Sequence, residues 1–184
     1  MRIVGGRWRS RALAAPKSQA VRPTADRLRE ALLNVLVHGH GDPVAGARVL
    51  DLFACTGALG LEALSRGAAF VLFVDDGAEA RALIRANVDA LGAGGATKIF
   101  RRDATRLGPA HPLDPFTLVF LDPPYGKGLA EKALTSARDG GWLASGALAV
   151  VEEAADAGFK TPEGFEEMER RGYDDTQLVF LRFR

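Results

Sequence analysis

Short apolar runs alternate with helical patterns through the middle of this chain, and few folds satisfy that alternation. Ala47 to Phe53 is continuous and apolar, broken by a single acid, Asp51. Ala69 to Val74, Thr97 to Phe100, Phe116 to Leu121 and Ala147 to Val151 follow as four further runs. Between them, Leu59 to Arg66, Glu79 to Leu91 and Leu129 to Ala137 repeat apolar residues at helical spacing, and Gly67 and Gly92 stop the first two. Strands without polar alternation are strands covered on both faces, which means a mostly parallel, doubly wound sheet. The ending differs. Glu166 to Arg171 and Thr176 to Phe183 read as two strands around a turn at Gly172 to Asp175. The predicted fold is α/β and Rossmann-like: a seven-stranded, mostly parallel sheet closed by an antiparallel C-terminal hairpin.

A basic extension precedes this domain. The net charge of +1 conceals a split, because Arg2, Arg7, Arg9, Arg11, Lys17, Arg22, Arg27 and Arg29 face only Asp26 and Glu30 within residues 1–30. Residues 1–23 read as a short strand and a loop. Residues 24–38 read as a helix with Thr24 as its cap and Leu28, Ala31, Leu32, Val35 and Leu36 on one face. The expected division is 1–40 for the extension and 41–184 for the main domain. Such a cluster of arginines either meets a polyanion or forms a solvated tail. The single cysteine, Cys55, excludes an internal disulfide. With no apolar run of membrane-spanning length and no signal-type region, a cytoplasmic monomer with no membrane partner is expected.

Ligands of doubly wound sheets bind beyond the carboxyl ends of the strands. There the first run continues as Asp51-Leu52-Phe53-Ala54-Cys55-Thr56-Gly57-Ala58-Leu59-Gly60, a near match to the dinucleotide fingerprint with Cys55 at the first glycine position. Gly57 and Gly60 allow close backbone approach, and the helix that follows offers free N–H groups. Asp51, inside a buried strand, can hold an ammonium group. Asp75 follows the second run and is placed for ribose hydroxyls, with Asp76 solvated, and Asp103 follows the third and can accept from an adenine amine. An ammonium, a ribose and an adenine describe S-adenosylmethionine better than a pyrophosphate, and the P-loop pattern is missing. The expected cofactor-binding set is Asp51, Phe53, Ala54, Thr56, Gly57, Asp75, Asp103, Ala104 and Asp122.

The fourth run leads straight into Asp122-Pro123-Pro124-Tyr125-Gly126. Two prolines cannot extend a ladder, so this is a rigid projection carrying a carboxylate, free carbonyls and a ring. Hydrogen bonds from an exocyclic base amine to Asp122 and to the Pro123 carbonyl draw its nitrogen toward tetrahedral geometry and free the lone pair. Tyr125 can stack on an extruded base. Asp122, Pro123 and Tyr125 are the expected catalytic residues, and no metal is needed.

The sequence resembles the RsmD family over nearly its whole length. The resemblance rests on Arg2-Ile3-Val4-Gly5-Gly6-Arg7-Trp8-Arg9 with Arg11, and on Arg22-Pro23-Thr24-Ala25-Asp26-Arg27-Leu28-Arg29-Glu30-Ala31-Leu32. Asp51 through Gly60, Glu62-Ala63-Leu64-Ser65-Arg66-Gly67-Ala68 and Asp122 to Tyr125 complete it. It implies a class I S-adenosylmethionine-dependent methyltransferase acting on a guanine N2 in 16S ribosomal RNA or a small-subunit particle. It also implies that the basic segment, with Arg7, Arg9, Arg11, Arg22 and Arg27, grips the RNA. The chain departs from the family at Cys55 (commonly glycine), Thr56 (commonly serine), Asp75 (usually glutamate) and Gly77 (commonly aspartate). Cys55 is accommodated if its backbone is ordinary. Other readings stay open: an adenine-N6 or protein-amine methyltransferase, a non-catalytic RNA-binding protein on this fold, and a nicotinamide-dependent oxidoreductase.

Overall fold

A computed structural model describes residues 1–17 and 23–184. The elements are α1 (Pro23–Gly39), β1 (Arg48–Leu52), α2 (Ala58–Ser65), β2 (Phe70–Val74), α3 (Ala78–Leu91), β3 (Thr97–Phe100), β4 (Phe116–Leu121), α4 (Leu129–Asp139), β5 (Leu143–Ala154), β6 (Phe165–Tyr173) and β7 (Thr176–Phe183). They build one seven-stranded sheet in the order β3-β2-β1-β4-β5-β7-β6. β1 to β5 run parallel, and β7 lies antiparallel between β5 and β6. The predicted architecture is the observed one. The strand order reverses between β1 and β4, whose ends Leu52 and Leu121 are register partners. That switch point is where the crevice of such a sheet opens.

Successive strand residues point to opposite faces, and the sheet has an apolar layer on each. Val49, Val71, Phe73, Leu118 and Phe120 pack with α1, α2 and α3 through Leu32, Leu36, Leu61, Ile84 and Val88. Leu50, Leu72, Val74, Val119 and Leu121 pack with α4 through Ala130, Ala133, Leu134 and Ala137. Each large side chain so buried contributes roughly 1.5–3 kcal/mol.

Two elements differ from expectation. β5 begins at Leu143, ahead of the apolar run, and passes through exposed Ser145 and Gly146. There its pairing with β4 skips register between Phe116 and Leu118. This irregularity breaks the hydrophobic pattern without ending the strand. The N-terminal strand is replaced by one antiparallel bridge, Arg2 to Ala12, around a 3-10 turn at Gly6–Trp8. Ile3, Ser10 and Leu13 still pair their backbone within the segment, while α2 claims the rest of the turn: Glu62 accepts from Val4 N and Gly5 N, each at 2.9 Å, and Ser65 Oγ accepts from Trp8 N at 3.0 Å. Gly6 is at φ +76°, and a Cβ there would lie 2.0 Å from the Ser65 carbonyl oxygen. The Thr24 cap concerns a side chain outside the described residues.

Glu62 is fully buried and also accepts from Arg29 Nε and Arg66 Nε, each at 3.2 Å. Arg29 in turn donates to the Arg2 carbonyl at 2.5 Å and to Asp26 at 2.8 Å. The N-terminal segment, α1 and α2 therefore meet on one carboxylate. Glu62→Ala leaves two guanidinium groups and two amides without that partner. We expect it to lower stability by about 3–5 kcal/mol in urea denaturation; a loss near that of an ordinary surface substitution would contradict the assignment.

Candidate active site

Asp51 is the fourth residue of β1 and is 1% exposed. Its Oδ2 accepts from Gly60 N at 3.0 Å, its only side-chain hydrogen bond among the described residues. Burial, above all, pushes its carboxyl up to about 8, against the Gly60 N–H, which lowers it, and with Asp75 adding to the rise. Gly60 is where α2 closes on the sheet, because a Cβ there would lie 2.5 Å from Phe73 Cε1 and 2.7 Å from Val71 Cγ1. The connecting loop coils through three left-handed residues, Phe53 (φ 57°), Cys55 (φ 54°) and Gly57 (φ 79°). The backbone at Cys55 is thus not ordinary. The thiol residue occupies a conformation that favours glycine, at a cost on the order of 1–3 kcal/mol.

Asp75 holds this loop from β2. Its Oδ2 accepts from Cys55 N at 3.0 Å, and its Oδ1 accepts from Gly77 N at 2.9 Å. The two departures Asp75 and Gly77 are therefore partners: a short carboxylate turns back on its own backbone, and a Cβ at Gly77 would lie 3.2 Å from Asp75 Oδ1. Each oxygen keeps a lone pair for a ligand hydroxyl. Asp103 is exposed beyond β3, and its Oδ1 accepts from the Thr105 hydroxyl at 2.7 Å and Thr105 N at 2.9 Å. These bonds hold its carboxyl below the usual range. Ala104 beside it is buried. Thr56 lies in the loop, but its hydroxyl meets Met1 Sδ at 3.5 Å and its carbonyl accepts from Asn87 Nδ2 at 2.9 Å. Asn87 also exchanges bonds with both backbone groups of Ala14, joining α3, the loop and the N-terminal segment.

The Asp122–Gly126 turn projects from the end of β4 beside β1. Asp122 is open to solvent, Pro123 is buried, and Pro124 and Tyr125 are exposed. Asp122 is raised well above the ordinary carboxylate range, first by dehydration, then by Glu152 through its charge and a hydrogen bond between the two carboxyls, with Asp51 and Glu153 adding to the rise. Two residues that the sequence reading omitted hold the turn. The Tyr125 hydroxyl donates to Glu152 Oε1 at 2.5 Å, and Gly126 N donates to Glu153 Oε1 at 2.9 Å. The signal was present, since both acids directly follow the fifth apolar run, as Asp75 follows the second.

Arg7, Arg9, Arg11 and Arg27 are exposed. The Arg7 guanidinium lies 4.2 Å over the Trp8 ring, and Arg11 donates to the Ala90 carbonyl at 2.7 Å. Arg22 lies outside the described residues. Arg29, counted with the basic segment, is buried in the Glu62 cluster and is not part of an open surface. No helix is long and apolar enough to cross a membrane among the described residues.

A carboxylate near the end of β1 and others beyond β2 and β3, a Pro-Pro turn beyond β4 and a closing antiparallel hairpin define a Rossmann-like class I methyltransferase domain. The chain belongs to the RsmD family: residues 1–182 match the family model described as Conserved hypothetical protein 95. It is 42% identical over 162 residues to the Ribosomal RNA small subunit methyltransferase D of Escherichia coli strain K12, covering 88% of this chain and 78% of that protein. The protein of the same name from Haemophilus influenzae is 35% identical over 167 residues, covering 90% and 84%. Among solved structures, yhhF from Escherichia coli superposes with a TM-score of 0.84 at 33% identity, covering 100% of this chain and 98% of that one. TrmN from Thermus thermophilus shares the fold at a TM-score of 0.68 and 23% identity, over 85% of this chain and 48% of its own.

A carboxyl raised on folding destabilises the fold once it ionises. Between the unfolded value near 3.8 and the folded value of about 8, the native state binds more protons than the unfolded one, so stability falls as pH rises through that window. Asp51→Asn should flatten this decline and raise ligand-free stability at pH 8 by about 1–3 kcal/mol. Denaturation curves from pH 4 to 8 check it, and an unchanged slope would speak against the raised carboxyl.

Proposed function

We propose that this chain transfers a methyl group from S-adenosylmethionine to the exocyclic N2 of a guanine in small-subunit ribosomal RNA. The observation that carries the reading is the Asp122–Tyr125 turn, which projects at the switch point next to buried Asp51. The donor set suits the cofactor. Asp51 is a buried carboxyl whose anionic form is stabilised by an ammonium group. Asp75 and Asp103 keep acceptor capacity for ribose hydroxyls and an adenine amine. Gly57 and Gly60 let the loop and the start of α2 pack closely on Phe73 instead of facing a ligand themselves, and Phe53, Ala54, Thr56 and Ala104 complete the surroundings. When bound, the cofactor supplies an electrophilic methyl group.

The remaining work falls to the chain. A base amine conjugated with its ring is a weak nucleophile. Asp122 and the Pro123 carbonyl would accept hydrogen bonds from its two N–H groups, localise the lone pair and aim it at the methyl group; as the N–C bond forms and the methyl–sulfur bond breaks, one N–H proton is lost to solvent. Asp122 accepts most strongly when ionised, so its raised carboxyl makes the step favour the alkaline side of its titration. The exposed face of Tyr125 gives the extruded base a surface to stack on. Positioning and fixed electrostatics therefore supply the catalysis, without a covalent intermediate on the protein.

The guanine assignment rests on family membership and on the relatives' names, because an Asp-Pro-Pro-Tyr turn serves adenine and guanine amines alike. Residues 1–40 would act as the RNA-gripping extension of a 41–184 catalytic domain, with Arg7, Arg9, Arg11, Arg22 and Arg27 meeting phosphates.

Asp122→Ala should lower turnover by a factor on the order of 10²–10³ or more while calorimetry shows cofactor binding largely intact. Near-normal turnover in that variant would refute the mechanism. Reversing the charge of Arg7 and Arg9 together should weaken RNA binding and make the salt slope shallower by about 1–2. A slope identical to the parent's would remove these arginines from the interface.

A further inference from the structure

We propose that Glu152 is a positioning residue for the target base, holding Tyr125 by its hydroxyl so that the open face of the ring is presented beside Asp122. This rests on the function proposed above, and it assigns a role to a residue outside the Asp122–Tyr125 motif.

The ring needs such an anchor. The two prolines before it fix its backbone but not its side-chain torsions, and Gly126 and Gly128 after it (φ 73° and 67°) bring no side chain to pack against the ring. Its tip is held at two points on neighbouring strands: Glu152 Oε1 accepts at 2.5 Å, and Thr176 Oγ1 lies at 3.3 Å. Thr176 begins β7 as the register partner of Ala154, two residues along β5 from Glu152. The foot of the loop is held separately, because Gly126 N donates to Glu153, which is itself buried and also accepts from Ala154 N. Adjacent residues of one strand point to opposite sides, so the two glutamates divide the task. One grips the backbone and the other grips the ring. With its hydroxyl tied, Tyr125 still leaves 42% of its surface exposed. A ring pinned at its polar tip with its face free is a prepared stacking platform, and ordering it beforehand spares that cost when the base arrives.

Glu152 also acts on Asp122 directly, through its charge and through a hydrogen bond between the two carboxyls. The groups around Asp122 are Asp51 and the Cys55 thiol from the β1 side, Tyr125 from its own turn, and Glu152 and Glu153 from β5. Removing the Glu152 charge lets Asp122 ionise at lower pH. A residue that only braced the fold would not move the acid limb of the rate profile.

The test uses the full chain, S-adenosylmethionine and small-subunit ribosomal RNA or particles. Glu152→Ala should lower kcat about 10- to 100-fold, and Glu152→Gln, which keeps an acceptor for the hydroxyl, should restore most of it. The acid limb of kcat should shift to lower pH in Glu152→Gln. Tyr125→Phe should reproduce the loss, and Glu152→Ala added to it should cost little more. Fully additive losses, or an unmoved acid limb, overturn the proposal. If Glu152→Ala fails to fold, the Gln and Phe variants, which preserve volume, carry the same comparison.

A second readout needs no substrate. In a Tyr173→Phe background Tyr125 is the only tyrosine, and its phenol titration can be followed by absorbance. Dehydration and the Glu152 hydrogen bond raise it, so Glu152→Gln should let it ionise at lower pH. An unshifted titration overturns the latch itself. A shifted titration with no methylation by the parent chain keeps the latch and overturns the substrate.

Discussion

A sheet that is apolar on both faces leaves only its ends for polar chemistry. β1, β2 and β4 carry buried residues on each side, so the charged groups of this domain gather where the strands stop. Asp75, Asp103 and Asp122 follow β2, β3 and β4 there, with Asp51 near the end of β1 and Glu152 and Glu153 near the end of β5. Burying acids there is unfavourable by itself, and crowding them adds to it, as the raised carboxyls of Asp51 and Asp122 record. Binding a cation offsets it. Stability in the ligand-free state and affinity in the bound state are then opposite consequences of one arrangement.

The loops at this edge are held from outside the sheet's own hydrogen bonding. Asp75 binds the amide of Cys55, Asn87 binds the carbonyl of Thr56, and Glu153 binds the amide of Gly126. Glu62 joins the N-terminal segment to α1 and α2 in the same manner. Polar side chains on rigid elements, acceptors at Asp75, Glu153 and Glu62 and a donor at Asn87, thus fix irregular backbone. This is how residues at φ 57° and 54° persist at Phe53 and Cys55. The N-terminal segment reaches the loop through Ala14, Asn87 and Thr56, so the surface proposed for RNA and the proposed cofactor loop share one hydrogen-bonded support.

Much of this was legible in the sequence. β3 and β4 fall where the apolar runs do, α3 ends at Gly92 in the left-handed cap that the glycine implied, and the closing hairpin showed through its two apolar or alternating runs. Each rests on local periodicity or on one turn residue. The features that escaped depend on distant partners. Ser145 and Gly146 hid the first turn of β5, because a register shift against β4 is not written in β5 alone. The roles of Glu62 and Asn87 exist only once segments 58 and 73 residues apart are folded together. Arg29 read as one more basic residue until its burial was seen. Cys55 looked like a tolerable change at a glycine position, since φ cannot be read from an amino-acid name. Glu152 and Glu153 were within reach, because the rule that picked out Asp75 and Asp122 applies to them equally.

The central claim is that the amine aligned by Asp122 belongs to a guanine of small-subunit ribosomal RNA. Nucleoside mass spectrometry of that RNA, after incubation with the purified chain and isotopically labelled S-adenosylmethionine, tests it most directly. Label in N2-methylguanosine is the predicted result. Label in N6-methyladenosine, or no labelled nucleoside from RNA that lacked the modification, would contradict it.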